Sequence, residues 1–181
     1  MKIFYKIFIS FFILTSLVLF NSCDPFGDFN ITLSMDTELN TLGAGSNISI
    51  SSDICLDDFD DYRDNRDNLE EIRYLTSAYM TINSSTGLRG DNARLKLYQS
   101  DGTTLLFDYS LPTFVPGDYI NNPLQIKLTQ QEVDNINRYL VNHKVNNCFK
   151  AVLQVSNVQY QGTIYYLNAK FEFVTELKVK P

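Results

Sequence analysis

Residues 165–179 read YYLNAKFEFVTELKV and decide the fold, because apolar and polar side chains alternate along the whole stretch. Successive side chains of a β-strand point to opposite faces, so this period of two predicts a strand with one buried and one solvated face. The preceding stretch, residues 149–155, alternates in the same way, and Gln161 and Gly162 predict a turn between the two. We therefore expect residues 149–179 to form one long antiparallel hairpin. The predicted buried positions of its second strand are Tyr165, Leu167, Ala169, Phe171, Phe173, Thr175, Leu177 and Val179.

Six further segments upstream carry strand patterns. They are residues 29–35, 48–56, 72–82, 94–99, 104–109 and 124–128. Residues 72–82 are partly apolar on both faces, which predicts a central strand. Between two of the segments, Asp101 and Gly102 predict a two-residue hairpin turn that sets Tyr98 opposite Leu105 and Leu97 opposite Leu106.

A single helix is predicted after residue 128. Thr129 and Glu132 have the spacing of a capping box, and Leu128 and Val133 occupy the positions of a hydrophobic staple. The lone histidine, His143, falls in the last turn of this helix. Eight strands and one short helix predict an all-β protein, an antiparallel β-sandwich of immunoglobulin-like or jelly-roll-like topology.

The chain begins with a leader that has the composition of an export signal. Lys2 and Lys6 precede an uncharged apolar run over residues 7–20. As a helix, this run would reach only about 21 Å, less than the roughly 30 Å hydrocarbon core of a bilayer. The pattern therefore favours a cleaved leader over a membrane-spanning anchor.

Residues Asn21, Ser22 and Cys23 end the apolar run, and this arrangement resembles the lipobox of bacterial lipoproteins. The resemblance implies that the leader is cut in front of Cys23 and that its thiol carries lipid. It divides the chain into a signal peptide (1–22), a lipidated tether (23–28) and a sandwich domain (29–181). It also implies a lipoprotein anchored in the cell envelope that faces the periplasm or the cell surface; an ordinary secreted protein is the alternative.

Two cysteines, Cys55 and Cys148, remain once Cys23 is assigned to lipid. An even pair in an exported domain predicts one disulfide. Two buried thiols are the alternative, because sequence alone does not show whether the side chains are close.

Charge is concentrated in one segment. Without Lys2 and Lys6, 21 acidic and 13 basic residues remain, a net charge of about −8 that disfavours nucleic acid as a partner. Residues 53–71 carry about −7 of this. Carboxylates so closely spaced in sequence allow a calcium site, built from Asp57, Asp58, Asp60, Asp61 and Asp64. The segment nevertheless lacks the glycine of an EF-hand loop. The alternative is a solvated acidic loop without a cofactor.

The inventory of reactive residues argues against an enzyme. One histidine cannot build a histidine-rich zinc site, and no glycine-rich phosphate loop is present. A hydrolase that uses two carboxylates remains an alternative, because acids are plentiful. Tyr160, Tyr165 and Tyr166 cluster at the predicted hairpin turn, where their rings could stack on a glycan or anchor a protein, but tyrosine is also common in strands.

Three functions follow as hypotheses. The first is a lipid-anchored binding or assembly module of the cell envelope without catalytic activity, whose partner is an envelope protein complex or a glycan. The second is a cation-stabilised adhesion or ligand-binding domain that uses residues 53–71. The third is the carboxylate-based hydrolase.

Overall fold

In a computed structural model, residues 27–180 are described, and they form eight strands and two α-helices. The strands are β1 (Phe29–Gly43), β2 (Ile48–Cys55), β3 (Leu69–Ser84), β4 (Arg89–Gln99), β5 (Leu105–Phe114), β6 (Leu124–Ile126), β7 (Cys148–Gln159) and β8 (Tyr165–Val179). The helices are α1 (Asp60–Asn65) and α2 (Gln130–Leu140), and short 3₁₀ turns cover Leu56–Asp58 and Pro116–Tyr119.

The strands form two antiparallel sheets of four. The first has the order β1-β8-β3-β6 and the second the order β2-β7-β4-β5. Only β4 and β5 are neighbours both in sequence and in one sheet, whereas the other connections cross between the sheets. This is the strand order of a jelly roll, which confirms the predicted sandwich and selects one of its two expected topologies.

The long hairpin predicted over residues 149–179 is wrong, although both of its strands exist. β8 pairs with β1 and β3, while β7 pairs with β2 and β4 in the opposite sheet. Residues 160–164 therefore arch from one sheet to the other. Each of the two strands has one apolar face. When the strands lie in opposite sheets, these two apolar faces are buried against each other in the core.

The core lies between the inner faces of the two sheets. All the inward positions predicted for β8, from Tyr165 to Val179, are buried. Phe173 of β8 and Phe149 of β7 meet across the sandwich with ring centroids 5.0 Å apart. The ring of Tyr74 on β3 lies 5.3 Å from that of Phe173. The ring of Tyr139 on α2 lies 5.3 Å from that of Phe149. Aromatic pairs at this spacing add to the hydrophobic stabilisation of the core.

The turn between β4 and β5 differs from the prediction. The strands end at Gln99 and resume at Leu105, so the connection is longer than two residues. Tyr98 lies opposite Leu105 as expected, but Leu97 faces Phe107 because the register shifts between Leu97 and Tyr98. The carboxylate of Asp101 accepts hydrogen bonds from the backbone of residues 103 and 104 and so stabilises the wider turn.

The helix predicted after residue 128 is confirmed with its cap. The hydroxyl of Thr129 accepts from the backbone N–H of Glu132 at 3.3 Å, and the Glu132 carboxylate accepts from the backbone N–H of Thr129 at 2.8 Å. Strand β6 has only three residues, and α2 packs against β3 and β5 next to it. The helix thus covers the side of the sandwich that β6 leaves open. The second helix, α1, was not predicted, because six residues are too few for a periodic pattern.

The predicted disulfide between Cys55 and Cys148 is present. The two residues are register partners at the ends of β2 and β7. The bond closes a loop with a sequence separation of 93 residues, so it constrains most of the unfolded domain.

Replacing both cysteines with serine should lower the free energy of unfolding by up to about 4 to 5 kcal/mol, because the unfolded chain regains the entropy of the open loop. Urea unfolding followed by circular dichroism measures the loss, and the wild-type protein in reductant is the matched control. A loss below about 1 kcal/mol in both would contradict the assigned role of the bond.

Candidate functional site

The connections between strands gather at two ends of the sandwich. We call one end the base, formed by residues 56–68, 100–104 and 141–147, and the other the apex, formed by residues 44–47, 85–88, 115–123 and 160–164. The start of β1 belongs to the base, because Phe29 pairs with Val179, which also pairs with Leu69 at the start of β3. The candidate residues divide between these two ends.

At the base, the acidic segment is held in place by buried side chains. Leu56 and Tyr62 are fully buried in the hydrophobic core. The backbone N–H of Leu56 donates to the carbonyl of Asn147 at 2.7 Å, next to the disulfide. The segment is therefore an ordered part of the base.

The five aspartates of the calcium hypothesis have different surroundings. The Asp57 carboxylate accepts from Arg66 at 3.3 Å and also from the side-chain amide of Asn147. Asp60 forms an ion pair with Arg63 one helical turn away. Asp58, Asp61 and Asp64 are exposed. Within residues 27–180, no three acidic, histidine or cysteine side chains converge as a metal-binding group, so the calcium site stays a prediction.

His143 lies beyond the end of α2, not in its last turn, and is buried against Tyr62. The Tyr62 hydroxyl donates to the backbone carbonyl of His143 at 3.1 Å and lies 3.0 Å from its Nδ1. Burial lowers the pKa of His143, and the nearby charges of Lys144 and Arg66 lower it further. The imidazole of His143 therefore stays neutral near pH 7. Its contact with Tyr62 holds α1, which carries Tyr62, against residues 141–147.

A cavity of about 410 Å³ at the base brings carboxylates close to this histidine. Its walls include Glu70, Glu71, Arg73, Arg138 and His143. Hydrogen bonds from Lys178 and Lys180 lower the pKa of Glu70 to about 2, and Glu71 pairs with Arg73 at 2.7 Å. The lowered pKa disfavours Glu70 as the protonated acid that glycoside hydrolysis requires.

The three tyrosines predicted as a binding cluster are brought to the apex but play different roles there. Tyr165 is buried, and its hydroxyl donates to the carbonyl of Asn47 at 3.1 Å. Tyr160 is half-buried, with its ring 5.0 Å from that of Tyr165, and its hydroxyl accepts from the backbone N–H of Gly45 at 3.3 Å. Tyr166 points to solvent. Two rings thus remain accessible at this end.

Two exposed apolar side chains, Leu42 and Ile164, lie at the same end of the first sheet as Tyr166. Leu42 is its register partner on the outer face of the first sheet and is 70% exposed, and Ile164 is 54% exposed. The sequence did not reveal Leu42, because its outward position depends on β1 continuing to Gly43. Clusters of exposed apolar side chains commonly mark interaction surfaces.

A groove at the apex also escaped the sequence patterns. It has a volume of about 480 Å³, and its walls include Arg89, Val115, Gln159, Tyr160 and Gln161. Arg89 donates through both Nε and Nη2 to the amide oxygen of Gln159, at 2.9 and 2.6 Å. Of these residues, only Tyr160 was a binding candidate in the sequence, because Arg89 and Gln159 meet only through the pairing of β4 with β7.

The predicted lipidation site, Cys23, lies outside the described residues. Among residues 27–180, no helix is long and apolar enough to cross a membrane.

Lowering the pH should destabilise the protein through His143. Its pKa is lowered in the folded state, so below about pH 6.5 the unfolded chain takes up the proton first and stability falls. Each unit of lowering corresponds to about 1.4 kcal/mol. The variant His143→Asn should be less sensitive to pH than wild type from pH 6.5 downward in urea titrations, whereas Lys144→Gln should keep most of the dependence, because burial is the largest cause of the lowered pKa and is unchanged. If the free energy of unfolding falls equally steeply with decreasing pH in wild type and in His143→Asn, the destabilisation does not come from His143.

Millimolar calcium should leave the melting temperature unchanged, because Arg66 and Arg63 already neutralise Asp57 and Asp60. A thermal melt with calcium and one with chelator measure this. A rise of several degrees that is lost in Asp58→Asn/Asp61→Asn would instead establish a cation site in the acidic segment.

No protein-family model and no curated protein matches the chain. Among solved structures, the decameric BFDV capsid protein is 12% identical, with a TM-score of 0.37 over 82% of this chain and 99% of that one. The Macrobrachium rosenbergii nodavirus structure is 8% identical, with a TM-score of 0.42 over 88% of this chain and 56% of that one. Desmodium yellow mottle tymovirus is 8% identical, with a TM-score of 0.29 over 87% of this chain and 92% of that one. The fold assignment therefore rests on the strand order, and function has to be argued from the two ends of the sandwich.

Proposed function

We propose that the protein is a lipid-anchored binding or assembly module of the cell envelope, without catalytic activity. The observation that carries the proposal is the position of the two ends relative to Cys23. β1 begins at Phe29, only six residues after Cys23, and it begins at the base. Six residues span at most about 20 Å, so a lipid on Cys23 keeps the base next to the membrane.

This attachment directs the apex away from the bilayer. A 15-residue strand such as β8 is about 50 Å long, so the apex stands well clear of the headgroups. Leu42, Ile164 and Tyr166 at the apex are then presented to partners within the envelope or outside the cell.

The anchor is tested by Cys23→Ser. We expect this variant to leave the membrane fraction while its circular dichroism spectrum and melting temperature match those of the wild type, because the sandwich begins only at Phe29. Recovery of the variant in the membrane, uncleaved, would show that the leader itself is the anchor and would overturn the proposal.

The binding role is tested by co-purification from membranes in mild detergent. The double variant Leu42→Ser/Tyr166→Ser should recover at least tenfold less of a partner that wild type retains. Val145→Ser is the matched control, because Val145 is 83% exposed at the base. Wild type recovered only as a monomer, or equal loss of the partner in both variants, would count against a binding surface at the apex.

A further inference from the structure

The groove at the apex contains an arginine whose charge is not balanced by an acid. Four of the six arginines, Arg63, Arg66, Arg73 and Arg94, form ion pairs with carboxylates. Within residues 27–180, Arg89 has no carboxylate within 4.0 Å, and its guanidinium instead donates to the neutral amide of Gln159. The amide orients the guanidinium without neutralising it, which leaves a positive charge available to a ligand.

The other groups of the groove favour a sugar. Gln161 provides a planar amide that both donates and accepts hydrogen bonds, as hydroxyl groups require, whereas Gln159, whose amide oxygen already accepts two bonds from Arg89, provides N–H donors. The Tyr160 ring forms an apolar wall, and its contacts with Tyr165 and Gly45 hold it in one orientation. A volume of about 480 Å³ is within the range of small-molecule sites.

The backbone around the groove is also held in place. The N–H of Gln161 donates to the carbonyl of Thr86 at 3.3 Å, which joins residues 160–164 to residues 85–88. Gly87 has a φ of +69°, and a Cβ there would lie 3.3 Å from Cγ of Gln161. Glycine thus permits both the turn and the close approach of the Gln161 side chain.

We propose that this groove binds a saccharide that carries a carboxylate, such as a uronic acid residue. Arg89 binds the carboxylate, Gln159 and Gln161 bind hydroxyl groups, and the Tyr160 ring packs on a face of the sugar. One unbalanced guanidinium in the groove, on a chain whose net charge is about −8 without Lys2 and Lys6, suits a ligand with isolated charges better than a dense polyanion. The inference deepens the proposed function, on which it rests, by naming the class of partner.

The test uses the full chain in mild detergent and a tetrasaccharide that contains glucuronic acid. Its matched neutral analogue carries glucose in place of glucuronic acid. Saturation-transfer NMR and calorimetry should detect binding of the acidic probe, with at least tenfold weaker binding of the neutral one. Arg89→Gln should weaken binding of the acidic probe at least tenfold, and Arg89→Lys, which keeps the charge without the planar fork, should fall between.

The control is Arg138→Gln. Arg138 is exposed at the base and, within residues 27–180, forms no ion pair. This variant should bind the acidic probe as wild type does. Melting curves of each variant show that it is folded, which is expected because the Arg89 side chain is exposed.

Three results would overturn the inference. They are no binding of the acidic probe, equal binding of the acidic and neutral probes, and equal binding by wild type and Arg89→Gln. A peptide with a free carboxylate that binds more tightly than the saccharide, and depends on Arg89, would also overturn it in favour of a protein ligand. After any of these results, the proposed function still stands if co-purification of a partner depends on Leu42 and Tyr166. Failure of the saccharide inference can therefore be distinguished from failure of the proposed function.

Discussion

The contact between the inner faces of β7 and β8 is the constraint on which the rest of the structure depends. Both strands have every second side chain apolar, and each is flanked by two strands of its own sheet. Such faces leave water only by facing each other, and Phe149 against Phe173 marks the contact. Residues 160–164 must then cross between the sheets, and this crossing creates the apex.

The short strand β6 decides where the helix lies. A full-length strand would pair along β3, but β6 covers only three residues of it, from Ser77 to Tyr79. Helix α2 takes the remaining space, and its Tyr139 packs on Phe149 while its hydroxyl donates to the carbonyl of Cys148 at 2.9 Å. The helix thereby joins the core, the disulfide and the turn at residue 100 into one base.

The two ends of the molecule therefore differ in kind. At the base, Glu70 and Arg66 are paired with internal partners, and His143 serves as a buried contact for Tyr62. At the apex, Arg89 and Tyr160 have oriented but unoccupied faces, and Leu42 lies open to solvent. Internal pairing favours stability, whereas oriented groups without partners favour binding, which is why the proposals place ligands at the apex.

The sequence by itself determined the strands, the capped helix and the class of fold, because hydrophobic periodicity and capping are local properties that lie within a few residues of each other. It also predicted a bond between Cys55 and Cys148, but only the structure shows that the two residues are register partners close enough to form it. Tertiary structure alone decided which strands are neighbours, so the predicted hairpin of β7 with β8 became two strands of opposite sheets. It also decided that Tyr62 anchors the acidic segment and that Arg89 meets Gln159, 70 residues later in the chain. These outcomes depend on burying every apolar face at once, and no local pattern carries that information.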